Sequence, residues 1–349
     1  MYKKEEYLSY AEIHKQHEQL RRTLDYITEK SDVIREFFQT EGDIVFVASG
    51  SSYWMSLSAH KTMKLKTGRN TYAVKAGDVL LCGEEFAGIY KNPIIICPSR
   101  SGHTSEVIEA LKILRKYYPS VKVLSIVEYE DSPLEKLSDL ALRISWANEK
   151  SVCQTRSFSC LYLASILIAG IASNNMQIFS DAERYLSIAP ALYTEHGNVI
   201  AGLVNESKMT SLVCLGCGLQ YGVCIEGAYI VIEMAEFNTN YFQLLEYRHG
   251  PIATAGEGTY VFILSYKGAE EYEEEISKDA EKAGATTFVV SDRAQKYGRY
   301  TFSLGEDFSK EIVALHYVFC LQSLAFHLSI HRGKNPDRPG SLVPFIVLR

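Results

Sequence analysis

One stretch decides the fold of this 349-residue chain: Asn92-Pro-Ile-Ile-Ile-Cys-Pro-Ser99-Arg-Ser101-Gly102-His-Thr104. Its first half is a short apolar run, typical of a buried strand, and its second half is a turn of small hydroxyl residues. A helix is predicted directly after it, over 105–117. The segment Asp43-Ile-Val-Phe-Val-Ala-Ser49-Gly50 has the same form, and a third strand is predicted over 121–127. Strands that alternate with helices predict a parallel sheet covered by helices on both faces.

The same pattern recurs in the second half of the chain. Predicted strands at 211–218, 259–265 and 285–291 correspond in order to those at 43–50, 92–99 and 121–127. This internal duplication predicts an α/β protein with two tandem parallel sheets flanked by helices, each a flavodoxin-like or Rossmann-like sandwich. We expect residues 1–185 to form a helical lead-in and the first domain, and residues 186–349 to form the second domain and a C-terminal tail.

Composition excludes several classes of protein. The chain is 47% hydrophobic with a net charge of −6, and it has neither a basic run nor a stripe of arginines and aromatic residues, so nucleic acid is not expected as a partner. The longest apolar stretch, around Leu161 to Ala172, is shorter than the roughly 20 residues that span a bilayer, so no membrane association is expected. Because the N-terminal residues are polar, no secretion signal is predicted and the expected location is the cytoplasm.

No cofactor and no metal are predicted. Most of the eight cysteines lie in apolar runs, which is typical of reduced, buried thiols. The pair Cys214 and Cys217 lacks the second pair that a zinc site would need. The glycines of 216–222 resemble a dinucleotide fingerprint, but the third glycine comes one position late. His327 and His331 have helical i, i+4 spacing without the glutamate of a metalloprotease, which favours a packing or helix-surface role.

Two turns of the first copy predict a phosphate site. Ser99, Ser101 and Thr104 follow one strand, and Ser51 and Ser52 follow another. Ligands of parallel sheets bind where strands end, and a helix N-terminus favours an anion there. The alternative is that these hydroxyls only cap helices. The second copy has Glu270 and Glu271 at the corresponding helix start, so the phosphate is expected in the first copy alone.

Glu233 and His249 are the candidate acid–base pair. They lie in Glu226-Gly-Ala-Tyr-Ile-Val-Ile-Glu233 and Glu246-Tyr-Arg-His249-Gly-Pro251. A carboxylate and an imidazole together can remove a proton from carbon and supply one to a leaving atom. The alternatives are a salt-bridged helix glutamate and a turn histidine.

Taken together, the motifs resemble the sugar isomerase (SIS) family over nearly the whole chain, as a tandem pair of SIS domains. The chain is similar to the isomerase half of glucosamine-6-phosphate synthase and to the fructosamine-6-phosphate deglycases. The resemblance implies a sugar-phosphate site lined by Ser52, Ser99, Arg100, Ser101 and Thr104, with Val152 and Gln154 near the sugar. It further implies that Glu233 moves the proton between the first two sugar carbons and that His249 serves ring opening or the leaving amine. It also implies a homodimer, because this histidine commonly reaches the site from the neighbouring subunit.

Two departures from the synthase pattern bear on the reaction. The synthase has lysines at the positions of Ile230 and Pro344, and the latter forms an imine with the ketose substrate. The chain is also expected to lack the synthase's glutaminase domain. The sequence therefore favours a deglycase that converts a fructosamine 6-phosphate to glucose 6-phosphate and a free amine or amino acid. The alternatives are an aldose–ketose phosphosugar isomerase, an amino-sugar-phosphate deaminase and a non-catalytic sugar-phosphate-binding regulator.

Overall fold

The computed structural model describes residues 4–206, 208–340, 342–343 and 345–348. Two compact units are present, and each draws on separate stretches of the chain. The first-sheet unit comprises Glu18–Glu149, Arg156–Ser180 and the described residues from Val343 onward. The second-sheet unit comprises the stretch ending at His17, Lys150–Thr155 and Asp181–Leu342. The units thus interleave along the chain, and the simple division at 185/186 stays a prediction.

The first-sheet unit contains a five-stranded parallel sheet in the order β2-β1-β3-β4-β5. Its strands are β1 (Ile44–Ala48), β2 (Thr71–Lys75), β3 (Ile94–Ser99), β4 (Lys122–Val127) and β5 (Leu140–Arg143). The helices that belong to it wholly or mostly are α2 (Gln16–Glu29), α3 (Ser31–Phe37), α4 (Ser51–Thr67), α5 (Ala76–Leu81), α6 (Ser105–Tyr117), α7 (Pro133–Lys136) and α8 (Arg156–Ala172).

The second-sheet unit repeats this plan. Its parallel sheet has the order β10-β9-β8-β6-β7, which is the same order read from the opposite edge. Its strands are β6 (Ser211–Gly216), β7 (Thr239–Gln243), β8 (Thr259–Leu264), β9 (Thr286–Ser291) and β10 (Tyr300–Ser303). The helices are α1 (Leu8–His14), α9 (Gln177–Glu206), α10 (Tyr221–Ala235), α11 (Glu270–Lys282) and α12 (Lys310–His331). The predicted α/β class with two parallel sheets is confirmed.

Burial explains which strands the sequence reveals. Every residue of β1 and β3 is buried, because central parallel strands are covered on both faces and carry unbroken apolar runs. The six strands predicted from sequence are the central strands of the two sheets. The four edge strands, β2, β5, β7 and β10, are four or five residues long and partly exposed, so they carry no such run.

The most apolar helices are core elements. α12 is long and apolar enough to cross a membrane, but 94% of its apolar 18-residue segment is buried inside the protein, as in the core helix of a globular domain. It packs against α10, and the two approach closely at Gly227. A Cβ atom at this glycine would lie 2.6 Å from the ring of Tyr317 on α12, which is fully buried.

We expect Gly227→Val to destabilise the second-sheet unit. The added side chain must displace the Tyr317 ring, and overpacking of this kind costs about 1–3 kcal/mol. Urea denaturation followed by far-UV circular dichroism measures the change. Gly202→Ala on α9 is the matched control, because nothing lies within 4 Å of a Cβ there and alanine favours helix. Equal midpoints for Gly227→Val and the wild-type protein would show that the helices do not pack as described.

Candidate active site

The two predicted phosphate turns lie at one edge of the first sheet. β1 and β3 are adjacent parallel strands with Ile44 opposite Ile94, so the turns that follow them are neighbours at the carboxyl edge. Ser49 and Gly50 connect β1 to α4, while Ser99 ends β3 before the loop to α6. In each case the strand is followed by small residues, which allow the backbone to turn sharply into a helix.

The loop after β3 is a tight turn held by its own hydroxyls. The Oγ of Ser99 accepts a hydrogen bond from the Gly102 N–H at 3.0 Å, and the Oγ of Ser101 accepts one from the His103 N–H at 3.1 Å. Gly102 has φ +63°, and a Cβ on it would lie 2.4 Å from the hydroxyl of Ser132, so a larger residue does not fit. The hydroxyls therefore shape the loop before any ligand arrives.

Helix capping does not account for the hydroxyls of these turns. The N-cap residues are Gly50 for α4 and Thr104 for α6, and neither helix has a side-chain cap among the described residues. The C-terminal tail supplies one partner instead, since the Ser105 N–H donates to the Ile346 carbonyl at 3.3 Å. The turns concentrate hydroxyls beside two helix N-termini at one sheet edge, which is the chemistry of a phosphate cradle.

Ser49 is a candidate that the sequence analysis left out. Its Oγ is buried and has no hydrogen-bond partner among the described residues. A buried hydroxyl without a partner is costly, and a ligand oxygen would satisfy it. Ser51 and Ser52 beside it are each only 6% exposed. The signal that could have identified Ser49 is its position as the first residue after β1.

The second copy has its own acids where the first has hydroxyls. The Glu273 carboxylate accepts the Tyr266 N–H at 2.7 Å and also takes the Tyr297 hydroxyl as a donor. The Glu270 carboxylate accepts the Gly268 N–H at 2.8 Å. These carboxylates place negative charge beside the backbone N–H groups of the turn, which disfavours a phosphate there. The residues that do so are Glu270 and Glu273; Glu271, which the sequence also suggested, is exposed.

Glu233 and His249 both lie in the second-sheet unit. Glu233 is half-buried near the end of α10, two turns after the buried Glu226. Burial raises the pKa of Tyr229 between them, and the Glu233 carboxylate adds to the effect. His249 is exposed and ends the 3₁₀ turn Leu245–His249 that follows β7. Both side chains are therefore accessible within their unit, as proton transfer to a substrate requires.

The segment containing Val152 and Gln154 is fixed by residues that sequence analysis missed. The Glu12 carboxylate on α1 accepts the backbone N–H groups of Lys150 and Ser151, at 2.6 and 3.3 Å. The Asp337 carbonyl accepts the Val152 N–H at 3.0 Å. No local motif marks these anchors, because their partners lie far away in sequence. The side-chain oxygen of Gln154 is buried without a hydrogen-bond partner among the described residues, so it remains able to accept one from a ligand.

One group of side chains has the composition of a metal site. His196, His316 and Cys320 are buried, and their ligand atoms lie within 4.8 Å of one another. However, His316 already hydrogen-bonds through both ring nitrogens, to Tyr185 at 3.2 Å and to His196 at 2.8 Å. The latter distance is shorter than the roughly 3.3 Å between two nitrogens on a tetrahedral zinc ion. Burial lowers the pKa of both imidazoles, so the group is best described as a neutral hydrogen-bonded network.

Comparison with known proteins identifies the class. The SIS domain model matches residues 37–169 and 206–332, which together make up most of the chain. The chain therefore belongs to the SIS-domain family and contains two SIS domains in tandem, as the sequence motifs predicted. The matches coincide with the two parallel sheets.

Particular relatives refine this picture. Glutamine–fructose-6-phosphate aminotransferase [isomerizing] from Sulfolobus acidocaldarius is 23% identical over 97% of this chain, and the Thermococcus kodakarensis protein of that name is 24% identical over 95%. The chain spans only 56–57% of these relatives, corresponding to their SIS half. The glucosamine-6-phosphate deaminase structure from Thermotoga maritima is 28% identical, with a TM-score of 0.78 over 93% of this chain and 99% of its own. The tagatose-6-phosphate ketose/aldose isomerase from Escherichia coli shares the fold, with a TM-score of 0.84 at 21% identity over 96% of both chains.

The two positions that depart from the synthase pattern are Ile230 and Pro344. Ile230 lies on α10 and is 1% exposed, so its side chain is part of the core. Pro344 lies outside the described residues. Neither residue carries an amine.

We expect Ser101→Glu to lower the affinity for sugar 6-phosphates at least 100-fold. The new carboxylate would have the same sign of charge as the phosphate, and bringing two like charges together in a desolvated loop costs several kcal/mol. Isothermal titration calorimetry measures the change. Lys267→Glu is the matched control, since Lys267 holds the corresponding position in the second copy and is exposed. Undiminished affinity in Ser101→Glu, or a comparable loss in Lys267→Glu, would contradict a phosphate site in the first copy alone.

Proposed function

We propose that this protein is a phosphosugar enzyme that releases an amine from a 6-phosphorylated amino sugar. The support is the combination of hydroxyl-rich turns at one sheet edge with an accessible carboxylate and imidazole, in a chain that lacks the synthase-type lysine at position 230. In this proposal Ser51, Ser52, Ser99, Ser101 and Thr104 bind the phosphate, and Val152 and Gln154 contact the sugar. No cofactor and no metal take part.

The chemistry is a proton shift between the first two sugar carbons. Glu233 removes the proton from the carbon that carries the amine, and the neighbouring carbon is protonated. This moves the double bond onto the carbon–nitrogen bond and forms an imine. Water then adds to the imine, and the amine leaves with a proton supplied by His249. Groups positioned for such transfers contribute roughly 10²- to 10⁴-fold each.

The substrate depends on which carbon bears nitrogen. With the amine on carbon 2 of glucosamine 6-phosphate, the products are fructose 6-phosphate and ammonia. With a substituted amine on carbon 1 of a fructosamine 6-phosphate, the products are glucose 6-phosphate and an amino acid, the deglycase reaction that the sequence favoured. The similarity to the Thermotoga maritima deaminase, at 28% identity over nearly the whole chain, favours the first. The deglycase is the second candidate, because it requires the same acid–base pair and no lysine.

The distinguishing experiment is a panel assay. Glucosamine 6-phosphate, several fructosamine 6-phosphates and fructose 6-phosphate are each supplied, and ammonia, glucose 6-phosphate and fructose 6-phosphate are measured by coupled dehydrogenases. We expect amine release from one of the first two classes. Glu233→Gln should lower kcat at least 100-fold with little change in KM, because the carboxylate acts on the transferred proton.

Glu236→Gln is the matched control for this variant, since Glu236 lies one turn further along and pairs with Lys334 at 2.5 Å. It should retain nearly full activity. Interconversion of fructose 6-phosphate and glucose 6-phosphate without amine release would reassign the protein as an isomerase. Sugar-phosphate binding without any turnover would favour a regulator.

We further propose a homodimer in which His249 completes the active site of the neighbouring subunit. His249 is exposed at the end of a surface turn, which leaves it accessible to another copy of the chain. Inactive Glu233→Gln and His249→Asn proteins, unfolded together and refolded, should regain up to about one quarter of wild-type specific activity, as expected if mixed dimers form statistically and contain one intact site. Full wild-type activity in a species that sedimentation shows to be monomeric would contradict the shared site.

A further inference from the structure

Arg100 is the charged residue in the loop after β3, and its environment is unlike that of a free phosphate ligand. The residue is 5% exposed, and its Nη1 lies 3.7 Å from the Oε1 of Glu149. The Glu149 side chain is completely buried. Its carboxylate therefore needs a nearby cation, and Arg100 is within ion-pair distance of it. If the guanidinium moved to a phosphate, this buried carboxylate would lose that partner.

A second carboxyl group lies beside this pair. Glu128 follows β4 directly and is 1% exposed, and its backbone N–H donates to the Arg100 carbonyl at 3.2 Å. Its Oε2 accepts the Ser157 hydroxyl at 3.0 Å, whereas its Oε1 has no hydrogen-bond partner among the described residues. Burial and the neighbouring Glu149 raise the pKa of Glu128 well above its usual range. Burial therefore favours the neutral form of Glu128, and the guanidinium of Arg100 lies within ion-pair distance of Glu149.

We propose that Arg100 is a positioning residue of the phosphate loop, acting through its buried pair with Glu149 and its backbone bond to Glu128, and not a ligand of the phosphate. This revises the role that the family resemblance implied for Arg100, and it rests on the proposed function of the loop. The pair and the backbone bond fix both the side chain and the main chain of the residue between Ser99 and Ser101. Phosphate affinity then depends on Glu149, although Glu149 carries the same sign of charge as the ligand.

A double-mutant cycle separates the two roles. Arg100→Met, Glu149→Gln and the double variant are titrated with a sugar 6-phosphate that the wild-type protein binds, well below the unfolding temperature of each. A positioning pair predicts at least a 10-fold loss for each single variant, and recovery to within about 3-fold in the double variant, because no buried charge is then left without its partner. The pair of Arg143 with Glu135 in the same unit supplies the control, because Arg143 is 39% exposed, and Arg143→Met should leave affinity unchanged.

A phosphate ligand predicts the opposite pattern. Arg100→Met and the double variant would then lose affinity equally, and Glu149→Gln would bind more tightly because a negative charge is removed. Either result overturns the proposal. Binding by the wild-type protein without turnover would overturn the proposed enzymatic function but not the positioning role of Arg100. A wild-type protein that binds no sugar phosphate would overturn both.

A pH series tests the electrostatics of the group independently. Sulfate is the probe, because its charge stays constant between pH 6 and 9. Ionisation of Glu128 as the pH rises would place a second negative charge beside Glu149, Arg100, Arg156 and Ser157, so wild-type affinity should fall with pH. Glu128→Gln cannot ionise and should show a flatter curve. His103 lies in the loop of both proteins, so the difference between the curves isolates the Glu128 side chain, and identical curves would overturn the electrostatic part assigned to that side chain.

Discussion

Parallel pairing of β1, β3 and β4 is the constraint on which the rest of the first-sheet unit depends. Parallel strands bring all of their carboxyl ends to one edge, and a helix begins after each of these strands. Ser49, Ser99 and Glu128 are the residues that immediately follow or end these strands. The hydroxyl turns and the buried carboxyl group therefore come together without any local sequence signal that links them. Removing one central strand would disperse the candidate site as well as the core.

The duplicated plan shows how one scaffold can support two kinds of turn. Both sheets have the same strand order, and both have a strand–turn–helix unit at the equivalent place. In the first copy the turn is closed by Ser99 and Ser101, which add no charge. In the second it is closed by Glu270 and Glu273, whose carboxylates accept the backbone N–H groups. The chemical difference between the copies thus lies in which side chains satisfy the backbone donors of the turn, hydroxyls in the first copy and carboxylates in the second.

Buried carboxylates elsewhere also hold irregular segments in place. The Glu12 carboxylate accepts the backbone N–H groups of Lys150 and Ser151 within the second-sheet unit, and Glu149 pairs with Arg100 within the first-sheet unit. A carboxylate that accepts backbone N–H groups forms charge-assisted bonds, which are stronger than bonds between neutral groups. Loops rarely bury enough apolar surface to order themselves, so these bonds supply the order that a binding segment needs. The desolvation free energy of burying each carboxylate is offset only while its hydrogen-bond or ion-pair partners remain in place.

The sequence by itself determined the fold class, the duplication and the family, because central strands, hydroxyl turns and catalytic-type motifs are all local patterns of adjacent residues. It also placed α6 and the six central strands within two residues of their observed limits. The edge strands were missed, since short, half-exposed segments carry neither a continuous apolar run nor a clear alternation. Only the tertiary structure revealed the partition into interleaved units and the anchors Glu12 and Asp337. It also revealed the buried hydroxyl of Ser49, which has no partner among the residues that the structure describes. The pairing of Arg100 with Glu149 was also visible only in the tertiary structure. A hydrogen bond or ion pair between residues far apart in sequence is determined by packing, and no single segment encodes it.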